Sequence, residues 1–388
     1  MTPRRVLVVS TDYPPLLGGI ATLSSQVVRE FAAQGWQVEV VCGSPGGQDP
    51  VTGDPCDRTA PHHPVGETLG LREARLCRTL RRLIPAFDPD FIWSSTWFPG
   101  HAMVTLCPEQ RRGRAACFSA YASEILPNTS DLKQRVKAML GPLRTRTIRD
   151  ADRIFAISSY TREQVIRLGG APDRVDVVPG GVSQEWFRYR RTQWDPHRIV
   201  TVARLDEHKG HDVVLRALPR LVRRWPDLTY DIIGPGPQER LRAIVTELDL
   251  ARNVVFHGSV RFEDLQARTA RAAAFVMPSR EIPGRPDLIE GFGLVYLEAS
   301  ALGVPCVAGR SGGVPDAVPD GETGFLVEPT SSEQVEHALA KLLGDPALAA
   351  RLGAAGRHRA EAEYTWPRIV ERMLSLVEPD LVAQRRRP

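Results

Sequence analysis

Short apolar runs alternate with amphipathic stretches twice along this chain, and that alternation leaves few architectures open. Residues 5–10 form a compact apolar strand, 20–33 read as an amphipathic helix and 37–42 as another strand, a β-α-β opening. Strand patterns recur at 91–95, 115–121, 153–157 and 175–178, with helical segments between them. A second run opens near Arg198 and repeats the scheme through 230–234, 254–258, 273–278 and 305–308. Neighbouring parallel strands need a long crossover, usually a helix, so this order predicts parallel sheets covered on both faces. The chain has 388 residues, more than one hydrophobic core usually serves. The predicted fold is therefore α/β with two doubly wound domains, 1–182 and 198–365. A turn-rich linker is expected at 183–197, and a last segment, 366–388, reads as a helix with a basic tail. In open sheets of this kind ligands sit outside the carboxyl ends of the strands, which would place a site where two such domains face each other across a cleft.

Composition excludes several classes. Apolar residues make up 42% and charged residues 25%, ordinary values for a globular protein. The longest apolar runs fall short of the roughly 18–20 residues that span a bilayer, and no signal-peptide core precedes Asp12, so a cytoplasmic protein is expected. Cys42, Cys56, Cys77, Cys107, Cys117 and Cys306 are scattered, without a C-x-x-C pair or a histidine at metal-ligand spacing. His62 and His63 fall in a Pro- and Asp-rich stretch, 44–66, read as a solvent-facing loop. The net charge is +4, with arginine gathered at 72–82, 111–114 and 133–153. Such clusters suit anions or an anionic membrane surface. No nucleic-acid recognition motif accompanies them, so no nucleic-acid partner is expected.

The chemistry concentrates in the second half. Glu290-Gly-Phe-Gly-Leu-Val-Tyr-Leu-Glu298 places two carboxylates about a glycine-rich turn and a helix start. Gly291 and Gly293 allow a tight backbone, and the N–H groups of Phe292, Gly293 and Leu294 at the helix N-terminus form a natural phosphate seat. Glu298, about one turn in, and Glu290, before the turn, can accept hydroxyl protons from an extended ligand. Upstream, Arg204 and Lys209 follow a strand and precede a helix that starts near Gly210. Ser311-Gly-Gly-Val-Pro-Asp316 and Asp320-Gly-Glu-Thr-Gly324 complete the set.

In this order the motifs resemble glycosyltransferase family 4, retaining enzymes of the GT-B architecture that use nucleotide sugars. Ser279-Arg280 with the following loop, and Ala308-Gly-Arg-Ser-Gly-Gly313, look most like the phosphatidylinositol mannosyltransferases and their relatives. The resemblance implies that Arg204 and Lys209 hold the donor diphosphate, that Glu290 binds the transferred sugar and that Glu298 takes the ribose. With two cations on the leaving group and no D-x-D metal motif read in the sequence, metal is expected to be unnecessary, and no cofactor is implied. Gly18 and Gly19, at the first helix start, would approach a donor phosphate, while Gly234 and Val260 would shape the nucleoside pocket. Many family members carry His-Gly-x-Glu after the strand that here ends in Tyr121-Ala-Ser-Glu124. Tyrosine donates a hydrogen bond but does not serve as an imidazole-like base near neutral pH. Either Tyr121 takes the histidine's polar contact or another residue does, with His101 as the alternative substitute; Tyr121 is assigned to line the site, the catalytic role stays open, and Tyr13, His101, Ser123 and Glu124 are placed on the acceptor side.

The resemblance implies transfer of a hexosyl group to a hydroxyl acceptor, either a lipid such as a phosphoinositide or a small cyclitol or sugar. A lipid acceptor would bring the protein to the inner membrane face. The donor base, uridine or guanosine, stays open. Two other readings share the motifs: a sugar-nucleotide epimerase of similar fold, and a nucleotide-sugar-binding protein without activity.

Overall fold

The computed structural model describes residues 4–14, 16, 18–43, 60–66, 71–106, 114–126, 139–286 and 288–385. It contains two compact units, one of residues 1–180 with 366–388 and one of residues 181–365. Cys56, Cys107, Arg111, Arg112 and Lys133, all weighed in the sequence, lie outside the described residues.

The first unit is built on a 7-stranded sheet in the order β3-β2-β1-β4-β5-β6-β7. Its strands are β1 (Arg5–Ser10), β2 (Gln37–Cys42), β3 (His62–Pro64), β4 (Phe91–Ser94), β5 (Ala115–Ala120), β6 (Arg153–Ala156) and β7 (Val175–Val177). All neighbours pair in parallel. Val6, Leu7, Val8 and Val9 of β1 are fully buried, as are Phe91, Ile92 and Trp93 of β4, because helices cover both faces. Burying each such side chain stabilises the fold by about 1.5–3 kcal/mol.

The 44–66 stretch departs from the expected loop. His62–Pro64 is an edge strand paired to β2, with Val65 N donating to Cys42 O at 2.9 Å, and His63 Nε2 lies 2.9 Å from Glu39 Oε2. Histidine and proline carry no strand propensity, and proline fits only because an edge strand leaves one side of its backbone unbonded.

The helix Trp366–Arg385 clusters with this first unit. Trp366, Ile369, Val370, Met373 and Val377 are buried at helical spacing, and Trp366, Ile369 and Met373 share a pocket lining with Leu23 and Val27 of the helix Gly19–Ala33. Arg4 and Glu378 pair at 3.2 Å.

The second unit has a 6-stranded sheet in the order β10-β9-β8-β11-β12-β13. Its strands are β8 (Asp195–Val202), β9 (Thr229–Ile233), β10 (Val254–Gly258), β11 (Ala272–Met277), β12 (Cys306–Gly309) and β13 (Gly324–Val327). This is the doubly wound order, again parallel throughout, with the topological switch between β8 and β11. Residues 183–197 hold more structure than a turn-rich linker. They contain the helix Gln184–Arg188 and the start of β8, and they are stitched onto the second unit by two arginines. Arg191 donates to the carbonyls of Ala270, Gly303 and Ala272 at 2.8, 2.6 and 2.6 Å. Arg357 donates to Phe187 O and Ala301 O, both at 2.7 Å.

Candidate active site

The loops at the carboxyl ends of the second sheet carry Arg204, Lys209, Gly234, Val260, Glu290 and the start of the helix with Glu298, the candidates of the second unit. After β8, Ala203 N donates to Ile233 O at 2.9 Å and Leu205 N to Pro235 O at 3.0 Å. Gly234 N in turn donates to Gly258 O at 2.8 Å, so Gly234 is a structural link between these loops. A short 3-10 turn, Glu207–Lys209, then leads into the helix His211–Arg224 through Gly210, which has φ 76°. A Cβ at Gly210 would stand 2.3 Å from Pro278 O, so only glycine lets this turn close on the loop after β11.

The loop after β11 carries the second half of the site. Tyr296 Oη donates to Met277 O at 2.6 Å and lies 3.1 Å from Ser279 Oγ, which fixes the strand end. Arg280 N donates to His208 O at 2.8 Å, and its guanidinium grips Asp212 at 3.1 and 3.0 Å. Arg280 is 10% exposed, a setting in which a bidentate arginine is strong and geometrically exacting. Further on, Glu290 O accepts from Gly313 N at 3.0 Å, and the helix Leu294–Ala301 begins after Gly293. Gly293 has φ 89°, and a Cβ there would meet the Tyr296 ring at 2.5 Å, so the turn excludes any side chain. Phe292 is buried against Tyr364 with ring centroids 5.9 Å apart, which leaves its main chain as its only means of meeting a ligand.

Two loops distant in sequence thus present a set of charges. Lys209 Nζ lies 2.6 Å from Glu290 Oε2, with side chains 16% and 15% exposed. Arg204 is 67% exposed and pairs with Asp206 at 2.8 Å, a surface contact that an anion could displace at little cost. The buried imidazole of His208 feels the charges of Lys209, Glu290, Asp206 and Arg204, and burial first, then Lys209, pushes its pKa down to about 4. Glu298, partly buried in the first turns of its helix, has its carboxyl pushed up by burial to about 7, so near neutrality it both donates and accepts hydrogen bonds. Val260 lies partly buried just beyond β10.

The residues assigned in the first unit follow three adjacent strands: Tyr13, Gly18 and Gly19 come after β1, His101 after β4, and Tyr121, Ser123 and Glu124 after β5. Gly18 is extended at φ 162° and Gly19 opens its helix, both exposed, with no heavy atom within 4 Å of a Cβ built at either. Tyr121 is buried beside Trp93 and Ser119, its hydroxyl has no hydrogen-bond partner among the described residues, and its phenol is held far above the usual tyrosine range by burial and by Glu124. It is a neutral hydrogen-bonding group and no base. Tyr13 is buried against the His62 ring at 5.4 Å. His101 Nδ1 lies 3.1 Å from Thr147 Oγ1 and also contacts Thr105, so its ring joins two helices, and burial with Arg146 lowers its pKa. Ser123 is exposed, and Glu124 accepts from Trp97 Nε1 through its carbonyl at 3.3 Å. The chain does contain D-x-D triplets, Asp88-Pro-Asp90 and Asp150-Ala-Asp152, at the opposite strand ends. There Asp90 and Asp152 accept from the N–H groups of Arg5 and Ala116 at 2.8 Å, while Asp88 and Asp150 pair with Arg114 and Arg146.

Residues 182–359 match the family of glycosyl transferases group 1, and residues 18–181 match a glycosyl transferase 4-like domain. The chain is 34% identical to a GDP-mannose-dependent alpha-(1-6)-phosphatidylinositol monomannoside mannosyltransferase of Mycolicibacterium smegmatis, over 93% of this chain and 95% of that protein. The chain belongs to glycosyltransferase family 4. A Mycobacterium tuberculosis protein of the same description is 31% identical to this glycosyltransferase, over 98% of this chain and 100% of the relative. In fold, the glycosyltransferase is similar to Anabaena HepE in complex with UDP, with a TM-score of 0.76, 16% identity, and coverage of 97% of this chain and 100% of that one. The family places the chain among GT-B transferases and leaves the epimerase and non-catalytic readings without support. Among the described residues, no helix is long and apolar enough to cross a membrane.

Arg280, Asp212, His208 and His211 were not assigned from sequence. A charged residue directly after a buried strand, as Arg280 stands after Met277-Pro278-Ser279, was the available signal; nothing local marks its partner, Asp212, in the first turn of the helix His211–Arg224.

Proposed function

We propose that this glycosyltransferase moves a mannosyl group from GDP-mannose to a hydroxyl of a phosphoinositol-type lipid acceptor, with retention of configuration and without a metal. The observation that carries the reading is the Lys209–Glu290 pair at the carboxyl ends of β8 and β11, in the segment matched by the group 1 family. Donor and acceptor classes follow the two whole-length mannosyltransferase relatives. In the reaction, the bond from the sugar C1 to the β-phosphate oxygen breaks and a bond from C1 to the acceptor oxygen forms. The acceptor proton passes to the departing phosphate. Lys209 and Arg204 meet the charge that develops on that phosphate, where fixed cations out of water stabilise most strongly. Glu290 holds the ammonium in place and offers its second oxygen to a sugar hydroxyl, while Glu298 meets the ribose. An α-linked product from an α-linked donor is a retained configuration.

The deciding experiment incubates the protein with GDP-mannose, GDP-glucose, UDP-glucose and UDP-galactose, each with phosphatidylinositol mannoside or free inositol. An α-mannosyl lipid from GDP-mannose, identified by its anomeric coupling, is expected. Transfer only from uridine donors, or a β-linked product, refutes the reading.

Because cations already serve the leaving group, activity is expected to persist in excess chelator. Complete loss restored by a divalent ion would overturn this assignment. A lipid acceptor further requires contact with a bilayer, and the exposed or half-exposed arginines of the helix Leu71–Phe87 and of the helix Gly141–Asp150 supply charge, each adding about 1 kcal/mol on an anionic surface. The protein is expected to sediment with anionic vesicles at low salt and to be released as salt screens the attraction. Equal, negligible sedimentation with anionic and neutral vesicles would point to the soluble acceptor.

A further inference from the structure

His211, first residue of the helix His211–Arg224, is fully buried. Its Nε2 lies 3.1 Å from Arg204 O, and since a carbonyl only accepts, Nε2 carries the hydrogen. Burial holds the ring neutral, with its pKa down to about 4, so Nδ1 stays an acceptor. Nδ1 lies 3.3 Å from the buried Tyr230 hydroxyl of β9, which lies 2.8 Å from Thr201 Oγ1 of β8. Thr201 spends its one hydrogen on Val276 O of β11, so the single tyrosine hydrogen goes to Thr201 Oγ1 at 2.8 Å and leaves His211 Nδ1 the longer, weaker contact at 3.3 Å. The chain of contacts therefore starts on three adjacent central strands and ends on the carbonyl of a loop residue whose own side chain is largely exposed.

A histidine kept only to fill a core would need no outlet in a loop, and a leucine or phenylalanine would fill the same space without a polar group to satisfy. What the imidazole adds is a rigid N–H donor on Arg204, anchored in the sheet. We propose that His211 is a positioning residue for the reaction: by fixing the Arg204 carbonyl it sets where the Arg204 guanidinium meets the donor diphosphate. The inference rests on the reading of Arg204 as a diphosphate contact. Placement errors of about 1 Å in such contacts are enough to reduce rates substantially.

The test compares His211→Gln, whose amide N–H reaches to about the Nε2 position, with His211→Phe and His211→Asn, which lack a donor there. Calorimetric binding of GDP, kcat/KM for transfer and Tm are measured for each, alone and with Arg204→Ala. The Phe and Asn variants are expected to bind GDP about fivefold more weakly, as for loss of one hydrogen bond. Gln should restore binding to within about twofold. In the Arg204→Ala background, His211→Phe and His211→Asn should cost nothing further. A further loss of the same size in that background, or wild-type GDP binding by a folded Phe or Asn variant, overturns the proposal while leaving the function intact. Unchanged GDP binding by Arg204→Ala alone instead removes the diphosphate reading, and this inference with it.

Discussion

Lys209→Ala is expected to lower turnover by about ten- to a hundredfold, equivalent to roughly 1.4–2.7 kcal/mol of lost transition-state stabilisation. The geometry explains why the loss should exceed that of a surface cation. Lys209 is largely shielded from water and held at 2.6 Å by Glu290, so its ammonium is already placed and the substitution also strands a shielded carboxylate. Lys209→Arg should not rescue activity, because a planar, longer guanidinium cannot occupy a site built for a compact ammonium. Since Lys209 and Glu290 touch, their effects should not add: Lys209→Ala with Glu290→Gln should lose much less than the product of the single losses. Single-turnover rates at saturating donor, on variants whose circular dichroism and Tm match the parent, make the measurement. Near-normal turnover in a folded Lys209→Ala protein would remove this residue from the mechanism.

Glu298→Gln is expected to trade stability against activity in a pH-dependent way. Burial raises the carboxyl from its ordinary 4.5 to about 7 in the folded protein. A group raised on folding contributes its stability below the unfolded value, and that contribution is lost as pH rises through the folded one. Wild type should therefore lose about 2–3 kcal/mol between roughly pH 4.5 and 7.5 that the glutamine variant, unable to ionise, retains. For a unit of this size that is on the order of 5–10 °C in Tm. The two proteins should melt alike near pH 4 and diverge toward pH 8, with the variant higher. Above about pH 7, where the carboxyl ionises, donor affinity should fall in the same variant, because glutamine offers the ribose one acceptor oxygen in place of the carboxylate's two. Parallel Tm curves across that range would show that Glu298 is not held neutral by burial.

The contrast between these two acids shows where sequence reading stops. Both were legible as site candidates, since their spacing about Gly291 and Gly293 fits a turn before a helix. Their chemical states were not legible. Glu290 has a cation against it because Gly210 lets the 204–210 loop close on Pro278; Glu298 lacks an equal partner and pays with a raised pKa. Neither fact can be read locally, for each depends on residues tens of positions away. The same limit explains His101, which reads as an open helix-start histidine until Thr147 is brought to its ring. It also explains His62 and His63, whose strand exists because β2 offers an edge and not because of their own propensities.

By itself the sequence determined the two parallel α/β sheets, because twofold strand runs separated by helical ones have few other ways to bury their apolar residues. It also determined the family, and it marked the arginine, lysine and two glutamates as site candidates, because loops after parallel strands and the helices they open are where such a fold meets its ligand. Only the tertiary structure decided which charges are paired, which are exposed and which are desolvated: Lys209 on Glu290, Arg280 on Asp212, Arg204 in solvent with its carbonyl anchored by His211. The physical reason is range. Periodicity and turn chemistry act over a few residues, whereas the energy of a charge is set by every dipole and ion within several ångströms, whatever their place in the chain.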